Sequence, residues 1–501
     1  MTLELALILT LAIPSLGGLL VAISDKNPNQ REAMTLISAV SLFAVVIWLT
    51  QQVAAGARPA LHLVEVLPGL SLALEIEPLG MLFGVVASGL WIVNSIYSIG
   101  YMRGGNEQKQ TRFYICFTIA IASAIGIAFA ANMFTLFIFY EILTISTYPL
   151  VAHKETNEAK SGARVYMGLL LGTSIGFQMI AIIWTWVATG TLDFTSGGIL
   201  ADKIDPTMLP VLLALYMFGI GKAALMPFHR WLPSAMVAPT PVSALLHAVA
   251  VVKAGVFTVL KVAIYIFGIE TLSTTGASEW LMWVAAFTLL TASLVAMTKD
   301  NLKARLAYST ISQLAYIVLA VAVANQLSVI GGALHIATHA VGKITLFMCA
   351  GAIYVATHKT EISDMRGLGR AMPFTFAAFF IGAISIIGLP PMGGTWSKWY
   401  MALGAANEGL LLVVGVYMVS SLLNVGYLLP LVVRGFFFPP PEPARSLGAA
   451  AVDEHHTSSS GGFAEAPLWC VVPPCLTAVG CIVLFFYADP IYQFLLPLGR
   501  P

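Results

Sequence analysis

A series of long apolar segments, separated by short polar connections, limits what this chain can fold into more than any other feature. Each segment is about 20 residues long, the length that a helix needs to cross the hydrocarbon core of a bilayer. Of the residues, 58% are hydrophobic and only 10% are charged, whereas about 25% are charged in a typical soluble domain. The chain is therefore predicted to be an all-α polytopic membrane protein. Its net charge of +1, without any basic run, gives no indication of nucleic-acid binding.

The apolar segments predict about fourteen transmembrane helices. The first segment lacks a basic leader and a small-residue cleavage pattern, so we interpret it as a retained helix and not as a signal peptide. A long polar connection, 437–467, contains the run DEHHTSSSGG and is predicted to be a cytoplasmic loop. The predicted spans are residues 3–23, 34–54, 78–100, 112–130, 132–152, 162–189, 207–226, 241–268, 279–298, 304–324, 328–356, 372–402, 409–436 and 468–490.

Basic residues alternate between successive connections. The odd-numbered connections contain nearly all of the loop lysines and arginines, whereas the even-numbered connections contain only Arg58 and Lys203. Cytoplasmic loops of membrane proteins are enriched in lysine and arginine. The odd-numbered connections are therefore predicted to be cytoplasmic, and both termini are predicted to be extracytoplasmic.

Two lysines flank an interruption in the segment MFGIGKAALMPFHRWLPSAMVAPTPVSALLHAVAVVKAG, which begins at Met217. Lys222 and Lys253 both lie in apolar helical sequence, where a charged residue costs about 2.5–3.5 kcal/mol on insertion scales. Pro227 is predicted to break the helix because it lacks an N–H group and its ring clashes with the carbonyl of Ala223. The two lysines are therefore interpreted as functional groups beside a polar gap.

A second interruption resembles the first in composition. Pro390 and Pro391 lie among glycines shortly before Lys398. In addition, residues 132–152 can be laid over residues 301–321. Proline- or glycine-interrupted segments that recur in two halves of a transporter point to its ion site. The two halves of this chain are therefore predicted to be internal repeats.

Glu141 is the acidic residue that lies near the middle of a predicted span. A buried lysine keeps its charge more easily when a carboxylate is close to it. Glu141 is therefore the predicted partner of Lys222, on the hypothesis that the fifth and seventh helices are in contact. The pair is predicted to load and release protons.

Three further ionisable residues, His335, His339 and Lys343, follow one another at intervals of four and so share one helix face. Because imidazole exchanges protons near neutral pH, this stripe is predicted to continue the proton path. Lys261, near a helix end, is interpreted either as a lysine that extends to the membrane surface or as a further functional group. The candidate supporting residues are His247, Thr310, Ser312, Pro227 and Pro390.

The sequence predicts no metal site, no cofactor and no catalytic nucleophile. The five cysteines show no metal-ligand spacing. His335 and His339 lack the glutamate of an HExxH motif and have no third ligand in view. We found no credible phosphate-binding or dinucleotide-binding motif.

The segment MPFHRWLPSAMVAPTPVSALLHA resembles the central signature of the antiporter-like proton-translocating subunits. These subunits occur in respiratory complex I, in membrane-bound hydrogenases and in Mrp-type cation/proton antiporters. The resemblance implies two inverted five-helix repeats, each with a broken helix, at 112–268 and 279–436. Residues 1–111 then form three preceding helices, and residues 468–501 contain the final helix.

The resemblance also assigns roles to residues. The glutamate of the family's fifth helix corresponds to Glu141, and the lysines of the seventh and eighth helices correspond to Lys222 and Lys253. Lys398 corresponds to an ionisable residue of the twelfth helix that is glutamate in some relatives, which disfavours the M-type subunit of complex I. The stripe His335, His339 and Lys343 corresponds to polar residues of the eleventh helix.

Among the members of this family, the chain is most similar to the D-type subunits of Mrp antiporters, because one span follows the repeats without a long lateral helix or a large C-terminal extension. The implied function is proton translocation within a multisubunit Na⁺/H⁺ antiporter of a bacterial plasma membrane, as a transporter subunit and not as an enzyme. Its partners are then other integral membrane subunits and the lipid bilayer, with H⁺ and Na⁺ as transported ions and without a soluble substrate. A proton-pumping subunit of a complex I-like or hydrogenase complex and a structural subunit with a degenerate path remain alternatives.

Overall fold

The computed structural model describes residues 1–439 and 464–498. In this part of the chain, 12 helices are long and apolar enough to cross a membrane. Two shorter apolar helices, Pro206–Gly219 and Pro373–Ile387, begin the two interrupted segments. Together these helices account for the predicted fourteen segments, while most of the predicted loop 437–467 lies outside the described residues.

The N-terminal part contains three long helices and a short β-hairpin that the all-α prediction did not include. The hairpin precedes the third helix, and its strands pair antiparallel across the turn Pro68-Gly69. Its second strand is anchored by backbone hydrogen bonds from Glu75 N to Phe129 O at 2.8 Å and from Ala131 N to Ala73 O at 3.0 Å. The elements are α1 (Leu3–Ile23), α2 (Pro28–Ala54), β1 (Ala60–Leu67), β2 (Leu70–Glu75) and α3 (Pro78–Gly104).

The first repeat follows, and several of its helices are interrupted. A π-helical turn at Ser174–Gln178 joins α6 to α7, and two more, at Leu245–Val249 and Val262–Phe267, flank α11. Such turns are frequent at functional sites. The helices are α4 (Gln110–Ala128), α5 (Met133–Val151), α6 (Asn157–Thr173), α7 (Met179–Thr189), α8 (Leu209–Gly219), α9 (Trp231–Ser234), α10 (Thr240–Ala244), α11 (Val251–Lys261) and the connecting α12 (Ile269–Thr275).

The second repeat has the same order of spanning helices, and its fourth span is again broken. It is followed by one long helix and a short amphipathic helix. The helices are α13 (Glu279–Thr298), α14 (Leu302–Ala322), α15 (Gln326–Thr357), α16 (Leu368–Ala371), α17 (Pro373–Ile387), α18 (Gly394–Asn407), α19 (Leu411–Phe437), α20 (Leu468–Phe486) and α21 (Ala488–Leu495).

A matching pair of backbone bridges shows how the repeats correspond. Asn132 caps α5 and pairs with Asp193, whereas Asn301 caps α14 and pairs with Glu361. In both repeats the second helix is therefore tied to the segment that follows the third. Because each repeat contains an odd number of spans, the two bridges lie on opposite sides of the membrane, and the repeats are inverted.

The first broken helix ends earlier than predicted. α8 ends at Gly219, and Ile220 leaves the helical region with φ −77° and ψ 60°. Ala224 has a left-handed φ of 54°. Pro227 lies beyond these residues, so the prediction that Pro227 breaks the helix is wrong about the cause. In the second repeat, Pro390 does lie between the two halves of the broken helix.

Side chains satisfy the backbone groups that the first break leaves without helical partners. Trp231 Nε1 donates a hydrogen bond to Gly221 O at 2.9 Å, and Lys222 N donates to Tyr140 Oη at 3.2 Å. Irregular backbone at membrane depth is tolerated only where it is buried in protein or lines water. The break is thus stabilised by specific hydrogen bonds, and it places Lys222 in the interior of the protein.

A polar cluster joins two connections on the predicted cytoplasmic side. Lys109 and Arg112 donate hydrogen bonds to Glu155 at 2.5 and 2.6 Å. These bonds lower the pKa of the exposed Glu155 carboxyl to about 2. The carboxylate is therefore ionised throughout the physiological pH range, and the link between these connections persists.

Candidate functional site

Lys222 is fully buried in the break of the first repeat. Its amine donates hydrogen bonds to Tyr140 O at 2.9 Å and to Thr144 Oγ1 at 2.5 Å. The amine also lies 3.1 Å from the centroid of the Tyr140 ring. These contacts confirm that the fifth and seventh spans touch at Lys222.

Glu141 lies on the same helix as these partners, but it does not bind Lys222 directly. Both carboxyl oxygens are buried and have no hydrogen-bond partner among the described residues. The expected direct ion pair is therefore absent. The backbone carbonyl of Tyr140 and the hydroxyl of Thr144 accept hydrogen bonds from the amine instead.

Gly255 on α11 packs directly on the backbone that carries Lys222. A Cβ atom at this glycine would clash with Lys222 and Ala223 backbone atoms. We expect Gly255→Val to destabilise the protein by about 1–3 kcal/mol, the usual cost of overpacking a core, and to displace Lys222. Thermal unfolding of the purified protein measures the loss of stability. Gly415→Val is the control because nothing lies within 4 Å of an added Cβ there; equal stability of the two variants would contradict the prediction.

A line of contacts leads from α11 to the second broken helix. Lys253 Nζ is hydrogen-bonded to His339 Nδ1, and the His339 ring stacks on the His335 ring with centroids 5.5 Å apart. His335 Nδ1 lies 2.9 Å from Ser397 Oγ, and Ser397 directly precedes Lys398. The structure therefore brings together four predicted site residues that are far apart in the sequence.

A second line of contacts starts at Lys343. Its amine donates a hydrogen bond to Ser309 Oγ at 2.6 Å, and Ser309 Oγ lies 2.9 Å from Tyr427 Oη. Tyr427 in turn is hydrogen-bonded to Asn424. When its amide oxygen faces Lys398 Nζ, Asn424 accepts a hydrogen bond from that amine at 3.2 Å. The second line therefore reaches the Lys398 amine, whereas the first ends at Ser397, the residue before Lys398.

Lys398 lies at the end of the second break and is 8% exposed. Its amine donates to Ile387 O, a carbonyl freed by the break, at 3.1 Å and to Ser421 Oγ at 3.2 Å. The amine lies 4.4 Å from the centroid of the Tyr316 ring. An apolar cavity of about 540 Å³ opens beside it between α18 and α19. Lys222 and Lys398 thus have matching environments, with a backbone carbonyl, a hydroxyl and a tyrosine ring around each amine.

The candidate supporting residues differ in their surroundings. His247 is buried in a π-helical turn against the Phe347 ring, and neither of its ring nitrogens has a partner among the described residues. Thr310 donates to Leu306 O of its own helix. Ser312 Oγ lies 2.8 Å from Ser293 Oγ and 3.4 Å from Ser420 Oγ. Of these residues, only His247 presents unpaired polar atoms.

Lys261 does not extend to the membrane surface, so that interpretation is wrong. It is 1% exposed and its amine lies 3.0 Å from Glu77 Oε1. The two residues are 184 positions apart, and their pairing follows from the packing of α3 against the first repeat.

Sequence reasoning missed the neutral groups that hold the amines. Tyr140, Thr144 and Ser421 bind the amines of predicted lysines, and Ser397 binds His335. The sequence did contain a partial indication that these residues belong to the site. Thr144 follows Glu141 by three positions and so shares a helix face with it, and Ser397 directly precedes Lys398. No cluster of three or more potential metal ligands occurs in the residues that the structure describes.

Two inverted bundles, each with a lysine at its broken helix, and a row of buried lysines and histidines between them define an ion-translocating type of membrane subunit. Residues 130–424 match the family described as NADH:quinone oxidoreductase/Mrp antiporter, transmembrane. This match covers more than half of the chain, so the chain belongs to that family.

Comparisons with individual proteins agree with this assignment. The chain is 30% identical, over 442 residues, to NADH-quinone oxidoreductase subunit N of Desulforudis audaxviator, covering 87% of this chain and 86% of that protein. Other curated relatives at 30–32% identity are subunits of NAD(P)H-quinone oxidoreductase, hydrogenase-4 and K⁺/H⁺ and Na⁺/H⁺ antiporters, and the chain spans half of their length or less.

Two solved structures share the fold. A chain of the Mrp complex from Dietzia sp. superposes with a TM-score of 0.85 at 22% identity, covering 100% of this chain and 97% of that chain. A chain of the membrane-bound sulfane sulfur reductase, an archaeal respiratory membrane complex, also gives a TM-score of 0.85 at 26% identity, covering 98% of this chain and 96% of that chain. The helix arrangement is therefore common to antiporter and redox complexes.

Proposed function

We propose that this chain is a proton-translocating subunit of a multisubunit Mrp-type Na⁺/H⁺ antiporter in a bacterial plasma membrane. The observation that supports the proposal most strongly is the line of contacts from Lys253 through His339 and His335 to Ser397, the residue that directly precedes Lys398. It joins groups that accept and release protons across the middle of the protein. A purely structural subunit would not require so many buried ionisable residues, because each charged side chain within the membrane costs free energy.

The proposed path begins at Lys222 in the first repeat. Protons move from Lys222 to Lys253, continue by His339 and His335, and reach Lys398, which exchanges them with the opposite side. No side-chain hydrogen bond joins Lys222 to Lys253 among the described residues, so protons cross that interval through water. Glu141 favours the charged form of Lys222 through the electrostatic field of its carboxylate and not through a direct contact.

We place the sodium path in partner subunits. Hard cations such as Na⁺ prefer several oxygen ligands, whereas the groups along this path are lysines and histidines with a single carboxylate, Glu141. The chain therefore exchanges protons, and other membrane subunits bind the sodium ion. This division predicts that the isolated chain does not exchange Na⁺ for H⁺.

Substitution of Glu141 tests the proposal. We expect Glu141→Gln to reduce Na⁺-dependent proton transport by about 100-fold, as loss of a positioned acid–base group does, because Lys222 then loses the charge that favours its protonation. The assay follows Na⁺-induced dissipation of a pH gradient in everted vesicles that contain the assembled complex. Glu158→Gln, at an exposed position at the start of α6, is the matched control. Unchanged transport in an assembled Glu141→Gln complex would reject the proposed path.

The second candidate is a proton-pumping subunit of a redox-driven complex, which is favoured by the similarity to NADH-quinone oxidoreductase subunit N over 87% of the chain. Purification in mild detergent distinguishes the two assemblies. Partners that are other integral subunits without redox centres support the antiporter. Co-purifying quinone-reductase or hydrogenase subunits would reject the antiporter assignment and leave the proton path intact.

A further inference from the structure

A buried lysine–carboxylate pair joins the start of α3 in the N-terminal part to α11 of the first repeat, away from the path described above. Lys261 Nζ is 3.0 Å from Glu77 Oε1, and Tyr265 Oη donates to Glu77 Oε2 at 2.7 Å. The same carboxylate caps α3 by accepting hydrogen bonds from Leu79 N and Gly80 N, both at 3.0 Å. Four donors, one of which is the Lys261 amine, therefore fix the position of the Glu77 carboxylate.

The pair is enclosed on one side and open on the other. The Lys261 side chain is 1% exposed, whereas that of Glu77 is 13% exposed. A cavity of about 120 Å³ reaches both residues, and its other polar lining groups are Arg58, Glu75, Ser196 and the Tyr265 hydroxyl. These residues lie in even-numbered connections or at the helix end next to one, so the charge distribution of the loops predicts that the cavity is on the extracytoplasmic side.

The charges around the pair come from several elements. Arg58 precedes β1, Glu75 ends β2, and Phe194 places its ring centroid 4.2 Å from the Lys261 amine. The site therefore holds two carboxylates and two cations around a small space. When Lys261 loses its proton, Arg58 remains as a cation beside the two carboxylates and Glu77 is still partly exposed to the cavity, so the carboxylate is not left buried without a counter-charge.

Lys261 is also connected to the proton path by its position. It lies on α11, eight residues beyond Lys253, which corresponds to about 12 Å along a helix axis. The π-helical segment Val262–Phe267 begins directly after it. Lys261 thus lies between the interior lysine Lys253 and a cavity that faces the outside.

We propose that the Glu77–Lys261 pair is the outer proton-exchange site of the first repeat, an inference that rests on the proposed proton-translocating function. In one cycle the Lys261 ammonium gives its proton to the Glu77 carboxylate, and Glu77 releases that proton into the cavity. The neutral Lys261 amine then takes a proton from the Lys253 side. One proton crosses, and each group returns to its starting charge; the reverse order takes protons up from outside.

A conservative substitution separates this role from a structural one. Arginine at position 261 keeps the positive charge and the hydrogen bond to Glu77, but a guanidinium does not release its proton in proteins. We expect Lys261→Arg to lower Na⁺-dependent proton transport in everted vesicles at least about 10-fold in a complex that assembles normally. Lys203→Arg, in an exposed connection, is the matched control. Wild-type transport by Lys261→Arg would show that the pair only clamps α3 to α11.

The double variant Glu77→Gln/Lys261→Met keeps the test valid if arginine does not fit. It removes both charges together, so neither is stranded. We expect its thermal unfolding to stay near that of the wild type while transport is lost at least about 10-fold, whereas full transport would overturn the inference. Lys222→Met in the same assay distinguishes failure of the outer site from failure of the proposed function. If Lys222→Met loses transport while the double variant keeps full transport, only the outer site is rejected. Full transport by Lys222→Met rejects the proposed function itself.

Discussion

Replacing Lys222 with methionine is expected to reduce Na⁺-dependent proton transport by the assembled complex about 100-fold or more, the scale typical of losing a positioned acid–base group. Methionine has a similar length and fills the buried site, but it has no proton to exchange. It also leaves Thr144 and the carbonyl of Tyr140 without the donor that they have in the wild type. Everted vesicles with matched amounts of complex measure the rate.

Two further substitutions control for this result. Lys203→Met introduces the same change in an exposed connection and is expected to leave transport unchanged. Lys222→Arg retains the positive charge but cannot release the proton, so its transport is expected to be as low as that of Lys222→Met. If Lys222→Arg transports protons at the wild-type rate, charge alone is required at this position and Lys222 is not a proton carrier.

The second large effect is expected at the contact between Lys253 and His339. Because their side chains are hydrogen-bonded to each other in the interior, they act as one step of the path. We expect Lys253→Met and His339→Leu each to lower transport about 100-fold, and the double variant to be no slower than either single variant. Residues that work as a unit show this non-additive behaviour.

A double-mutant cycle on transport rates provides the measurement. If the two residues contributed independently, their fold-losses in transport rate would multiply. Two single losses of about 100-fold would then give the double variant a loss of about 10⁴-fold. Such a result would contradict a shared step. Thr310→Ala serves as the control, because the Thr310 hydroxyl is bonded to its own helix at Leu306 O and is not part of the contact.

Much of the fold follows from the sequence. The apolar segments and the alternation of basic residues predicted the spans, and the glycines and prolines before Lys398 predicted the second break. The first break was anticipated but its cause was assigned to Pro227. The helix ends upstream, because Gly219 and Gly255 allow close backbone packing and the side chains of Trp231 and Tyr140 satisfy the freed backbone groups.

The candidate site was predictable as a set of residues but not as a set of contacts. Lysines, histidines and one glutamate in apolar sequence stand out because each is costly in a membrane. Their partners do not stand out, since a threonine or tyrosine in a spanning helix is ordinary. The hydroxyls of Thr144 and Ser397 became recognisable as parts of the site only when the helices were placed side by side.

The sequence by itself therefore determined that this chain crosses the membrane repeatedly and which ionisable residues lie within its spans. These properties depend on the transfer of single side chains and segments from water to lipid, which is local. Tertiary structure alone decided that Lys222 binds Tyr140 and Thr144, that Lys253 meets His339, and that Lys261 pairs with Glu77. These contacts depend on the rotation and depth of each helix against its neighbours, which the packing of the whole bundle sets.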